Sequence, residues 1–223
     1  MPTLCDTERI VSEPGTCNMR GTIRADLPKT LWITGHGVLG IVGILVFPQW
    51  DAAVVFLLLT ALTVCAGHSV GMHRLLIHRS FETHRLIEYI LVWLGTCVGM
   101  AGPIGMIRTH DMRDWHQRQR TCPAHPAHRA GFLKDAWWQL CCRYDLACPP
   151  RFVLEQRVAQ DPVYAWMERM WWLQNLLSLY CSLPLGDGLG CCVASACVLL
   201  PLSLAIGGSA MSPIGADTRV GSL

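Results

Sequence analysis

"GMHRLLIHRS", residues 71–80, sets two histidines five positions apart, each followed by an arginine, at the end of a long apolar run. Imidazole is a neutral nitrogen donor suited to iron, copper and zinc, and ionisable groups beside lipid-embedded segments are candidates for function. Spacing alone does not complete a site. On an α-helix, residues five apart are rotated by about 140°. His73 and His78 therefore do not share a face as the i,i+4 pair of an H-E-x-x-H zinc helix does. They can meet at one centre if the helix ends or distorts between them, or if two ions sit side by side. The alternative is a basic collar on the cytoplasmic side of a membrane.

Outward from this stretch the chain reads as lipid-embedded. Of its 223 residues 52% are hydrophobic and 15% charged, against about 25% charged in an ordinary globular chain, and its mean hydropathy is +0.33. A net charge of +2, with no basic run interleaved with aromatics, excludes nucleic acid as a partner. Tryptophans 32, 50, 93, 166, 171 and 172 fall near the ends of apolar stretches, as an interfacial belt requires. The 12 cysteines contain no C-x-x-C and lie largely within apolar runs or as adjacent pairs. They read as small buried hydrophobes in a reducing compartment.

Residues 1–30 form a polar tail broken by Pro2, Pro14 and Pro28, with no cleavage site after the first apolar run, so that run reads as an uncleaved anchor. Leu31–Phe47 and Ala52–Val70 make a transmembrane hairpin about a turn at Pro48–Asp51. Lysine and arginine flank the hairpin and are missing from its turn, which puts the N-terminus and His73 together on the cytoplasmic side. A third run, Leu86–Ile107, is interrupted by "GMAGPIG" at 99–105. Residues 108–165 read as a cytoplasmic domain of short helices and loops, Trp166–Leu185 as a fourth apolar stretch, and 186–223 as an atypical apolar tail. Eight of the nine histidines lie between residues 68 and 128.

"GMHRLLIHRSF" resembles the first histidine box of the membrane fatty acid desaturases of acyl-CoA desaturase type, H-R-x-x-x-H-R-S-F, with matches at His73, Arg74, His78, Arg79, Ser80 and Phe81. The resemblance runs from about Leu31 to Leu185 and includes "RAGFLKDAWWQL" at 129–140. It implies a diiron centre that activates O2 to insert a double bond into an acyl chain held in an apolar tunnel. The implied partners are an acyl-CoA or acyl-lipid substrate, membrane lipids and a ferredoxin- or cytochrome b5-type electron donor. The second box, H-x-x-H-H in the family, corresponds to "THDMRDWHQRQ" at 109–119. By this analogy His110 is a ligand, while Arg113 and Asp114 stand where two more histidines belong. His116, His125 and Asp114 are the candidate replacements; Arg113 cannot ligate a metal. His78 and His110 can share a centre only from one side of the membrane, so 86–107 should dip in or lie in the plane.

The family's third box follows its last membrane segment, and this sequence has no histidine after His128. Back-translated and read from the third base of each codon, Leu204–Ile214 permits "GHWWIGYVAH". This is similar to a segment of related bacterial desaturases and implies a frameshift upstream of Leu204; the alternative is a natural short form with its own tail. The expected fold is thus all-α, an integral membrane helical protein with a transmembrane hairpin, a re-entrant or in-plane segment and a cytoplasmic histidine-rich helical domain. The expected function is that of a desaturase-like oxidoreductase with His73, His78, His110, His116 and His125 as metal ligands, inactive if the missing box is indispensable. The competing readings are a non-catalytic lipid- or metal-binding membrane protein and a histidine-box hydroxylase.

Overall fold

A computed structural model describes residues 4–46 and 50–182. Helices dominate: α1 (Leu27–Val46), α2 (Trp50–Ala61), a π-helix (Leu62–Ile77) continuing α2, α3 (Arg85–Thr96), α4 (Pro103–Arg118), α5 (Phe132–Cys141), α6 (Gln156–Ala159) and α7 (Pro162–Ser182). Four strands form two antiparallel pairs. β1 (Ile10–Val11) pairs with β4 (Arg151–Phe152), and β2 (Gly21–Ala25) runs from Gly21 opposite Leu146 to Ala25 opposite Cys142 on β3 (Cys142–Leu146).

Two expectations are corrected. The fold is not all-α, because the N-terminal tail is tied as strands to residues 142–152. Strands of two and five residues joined across more than a hundred positions carry too little alternation to register as strands in sequence. The transmembrane hairpin is not supported either: among the described residues no helix is long and apolar enough to cross a membrane. The second apolar run is shared between the 12-residue α2 and a π-helix carrying His68, His73 and Arg74. The first half of α1 carries Lys29, Thr30, Thr34 and His36, and α7 carries Glu168 and Arg169. Residues 86–107 fall into two helices, since α3 ends at Thr96, Gly99 adopts a left-handed φ of 78° and Pro103 opens α4. Pro48 and Gln49, and the tail 186–223 with its alternative-frame reading, lie outside the described residues.

The main core joins the π-helix (Met72, Leu76, Ile77), α3 (Val92), α4 (Met106, Ile107), α6 (Val158) and α7 (Tyr164, Met167). A smaller cluster of Ile10, Met112 and Trp115 packs the tail against α4. Glycines allow the π-helix and α3 to approach closely. A Cβ on Gly67 would lie 2.4 Å from Leu94 C, one on Gly71 would lie 2.4 Å from Leu91 O, and one on Gly95 would lie 2.9 Å from Gly67 O. These are backbone atoms, so relief requires the helices to separate.

Gly71→Ala should therefore destabilise the protein by roughly 1–3 kcal/mol through overpacking. Gly131→Ala, with nothing within 4 Å of the new methyl, should stay within about 0.5 kcal/mol of wild type. Denaturant unfolding of the two variants checks both values.

Candidate metal centre

The winding of the π-helix brings the first two histidines together. The His78 N–H donates to the His73 carbonyl at 3.0 Å, closing an i→i+5 turn. In such a turn residues five apart stack on one face, and π-type turns recur at functional sites. The His73 and His78 Nε2 atoms lie 3.2 Å apart. His110 approaches from α4, its ring centroid 5.1 Å from that of His73 and 4.9 Å from that of His78. One potential ligand atom from each lies within 4.8 Å of the other two, the only such group of three among the described residues.

This group fits a divalent transition metal. Two nitrogens 3.2 Å apart, each about 2.1 Å from one ion, subtend roughly 100° there, as adjacent ligands do. Burial, then the charges of His110 and His78, lower the His73 pKa, which favours the unprotonated lone pair a metal needs. The His110 Nδ1 atom is buried without a hydrogen-bond partner.

Two contacts hold α4 in place. Gly102 supplies no side-chain cap at its N-terminus. Instead Glu168 of α7 accepts hydrogen bonds from the Ile104 and Gly105 N–H groups at 2.8 and 3.1 Å, so a carboxylate meets the positive end of the helix. Burial raises the Glu168 pKa, and these two hydrogen bonds work against that shift. Farther along, Asp111 pairs with Arg9 at 3.0 Å. The Arg9 guanidinium also donates to the Ile77 carbonyl at 2.8 Å, next to His78.

His116 and His125 are not brought to this group. His116 follows His110 by six residues, about 240° around the helix, and faces away from it. It is 2% exposed, 4.9 Å from the Trp115 ring and 5.8 Å from the Tyr144 ring, centroid to centroid. His125, 4% exposed, stacks on Tyr144 at 6.0 Å and 21° and lies 5.8 Å from Trp138. Elsewhere His128 pairs with Asp135 at 2.7 Å and His84 caps α3. Sequence reading passed over His68, whose Nδ1 is buried and unpartnered. Burial lowers its pKa first, and the charges of His73 and His110 add to the effect. The signal was the continued five-residue period 68, 73, 78, which is meaningful only for i→i+5 winding.

His116 and His125 contribute to acid stability. Burial holds both near a pKa of about 4, aided by the charge of the other histidine for His116 and of Lys29 for His125. Unfolded, each would titrate near 6.5. The unfolded chain thus binds more protons between these values, and stability present above about pH 6.5 is lost as pH falls towards 4. The urea midpoint should drop from pH 7 to pH 5, and His116→Leu should flatten that slope, since one of the buried histidines that take up a proton only on unfolding is removed.

No protein-family model matches the chain. Over 121 residues it is 34% identical to the sn-1 stearoyl-lipid 9-desaturase of Anabaena variabilis, covering 54% of this chain and 43% of that protein. Over 160 residues it is 25% identical to the sn-2 palmitoyl-lipid 9-desaturase of Nostoc sp. (strain 36), covering 69% and 55%. A further sn-1 stearoyl-lipid 9-desaturase, from Synechocystis sp., is 33% identical over 92 residues, covering 41% and 27%. The aligned part spans about half the length of the first two relatives. These likenesses to bacterial acyl-lipid 9-desaturases agree with the histidine motif that His73 and His78 bring together.

Proposed function

We propose that this chain is an O2-dependent acyl desaturase-like oxidoreductase whose metal centre is built on His73, His78 and His110. The convergence of these three imidazoles from the π-helix and α4 carries the reading. Iron bound there would supply the one-electron chemistry that activates O2 for hydrogen removal from an acyl carbon; the family resemblance implies two ions, and these three imidazoles fit one. The chain's own residues hold and orient it. Imidazole is a neutral donor suited to iron, and three side chains leave coordination positions open. Arg9 and Asp111 fix the backbone next to His78 and His110, and Glu168 fixes the start of α4.

The substrate in this reading is an acyl lipid, as the names of the relatives suggest, and the electrons come from a ferredoxin- or cytochrome b5-type donor. Exposed apolar side chains of α1 and α2, including Leu31, Leu45, Leu57 and Leu58, support a position against lipid.

The test measures iron and acyl products together, in a host with a defined acyl profile and a compatible reductant. New unsaturated chains and bound iron should both be lost in His73→Ala, His78→Ala and His110→Ala, since loss of a ligand disrupts the shared centre. A His78→Ala protein with wild-type iron and products overturns the assignment. A wild-type chain that binds iron yet makes no unsaturated product overturns the enzymatic reading and leaves a metal-binding protein.

A further inference from the structure

Two carboxylates approach His110, and they differ in what already engages them. Asp111 Oδ1 lies 3.5 Å from His110 Nδ1, but the Asp111 side chain is 10% exposed and its other oxygen is tied to Arg9 at 3.0 Å. Asp114 Oδ2 lies 3.8 Å from the same nitrogen, with its side chain 34% exposed. Among the described residues Asp114 makes no ion pair with lysine or arginine. Four residues beyond His110 on α4, it shares that histidine's face. It also lines a cavity of about 240 Å³ with His78, Asp111 and Arg118. One carboxylate with no lysine or arginine partner among the described residues therefore stands beside His110 and in the cavity that His78 lines.

We propose that Asp114 is the carboxylate ligand of this centre, giving a donor set of three imidazoles and one carboxylate. The inference rests on reading His73, His78 and His110 as a metal site. Adjacent ligands about 2.1 Å from one ion lie roughly 3.0–3.4 Å apart, so Asp114, 3.8 Å from His110 Nδ1 and outside the group whose atoms all lie within 4.8 Å of one another, joins the set by rotating its partly exposed side chain towards His73 and His78. Three neutral imidazoles leave the full charge of a divalent ion uncompensated, whereas a carboxylate cancels one unit. Mixed histidine and carboxylate sets with open positions are the arrangement that non-haem Fe(II) sites use. Asp111, already paired with Arg9 at 3.0 Å, is the less available of the two carboxylates.

The test uses the full 223-residue chain with Co(II) as the probe, reading affinity by competition and coordination by the visible d–d bands. Asp114→Asn should weaken Co(II) binding by about tenfold or more and move the bands. Asp114→Glu, which keeps the carboxylate, should bind within a few-fold of wild type. Thermal unfolding of each variant confirms the fold, and Asp114→Ser replaces Asp114→Asn if the latter does not fold. Wild-type affinity and bands in Asp114→Asn, with Co(II) lost in His78→Ala, overturn the proposal alone. Wild-type binding in His78→Ala as well overturns the reading of the histidine site beneath it.

Discussion

The buried guanidinium of Arg9 sets the distance between the two elements that carry the histidines. It is 5% exposed and reaches the Ile77 carbonyl at 2.8 Å, Asp111 at 3.0 Å and Glu155 at 2.5 Å. Ile77 immediately precedes His78 and Asp111 immediately follows His110, so one side chain grips both sides of the centre, through the Ile77 carbonyl and the Asp111 carboxylate. A buried ion pair gives little net stability over apolar packing, but losing one partner strands a charge at a cost of about 3–5 kcal/mol. Its contribution here is positional. β1 holds Arg9 in place through its pairing with β4, reinforced by the Val153 N–H donating to the Arg9 carbonyl at 2.8 Å.

The second constraint is the seam of Gly67, Gly71 and Gly95, which lets the π-helix lie against α3 at backbone contact. Winding with an extra residue per turn widens a helix, and small residues on the contact face make room for it. The same winding aligns His73 with His78. One departure from α-helical geometry thus depends on three residues without side chains and yields the two-nitrogen edge of the centre.

What could be read from the sequence divides along physical lines. His73, His78 and His110 were legible because their motif is short and chemically specific, and the break at Gly99–Pro103 because glycine and proline act locally. The π-helix was not legible, since the i,i+5 spacing gives an offset of about 140° on an α-helix and nothing local announces the wider turn. The strand pairs were hidden because their partners lie far apart in sequence. Hydrophobic content alone misled on membrane crossing: among the described residues no helix is long and apolar enough, the second apolar run being divided between α2 and the π-helix and the third between α3 and α4. His116 and His125 were grouped with the ligands by proximity in sequence, and helical phase turns His116 the other way.

The Arg9 contacts also bear on the order in which the centre forms. They join residues 102 and 146 positions apart, and contacts that close such long loops form slowly. The His73–His78 pair closes within a single helical turn. A nascent chain thus presents two imidazoles before the segment containing Glu155 has been made, while the third is fixed by a strap that can close only afterwards. On the proposed metal reading, an ion would meet only two nitrogens early in synthesis, and the third donor would be fixed after the tail has folded back.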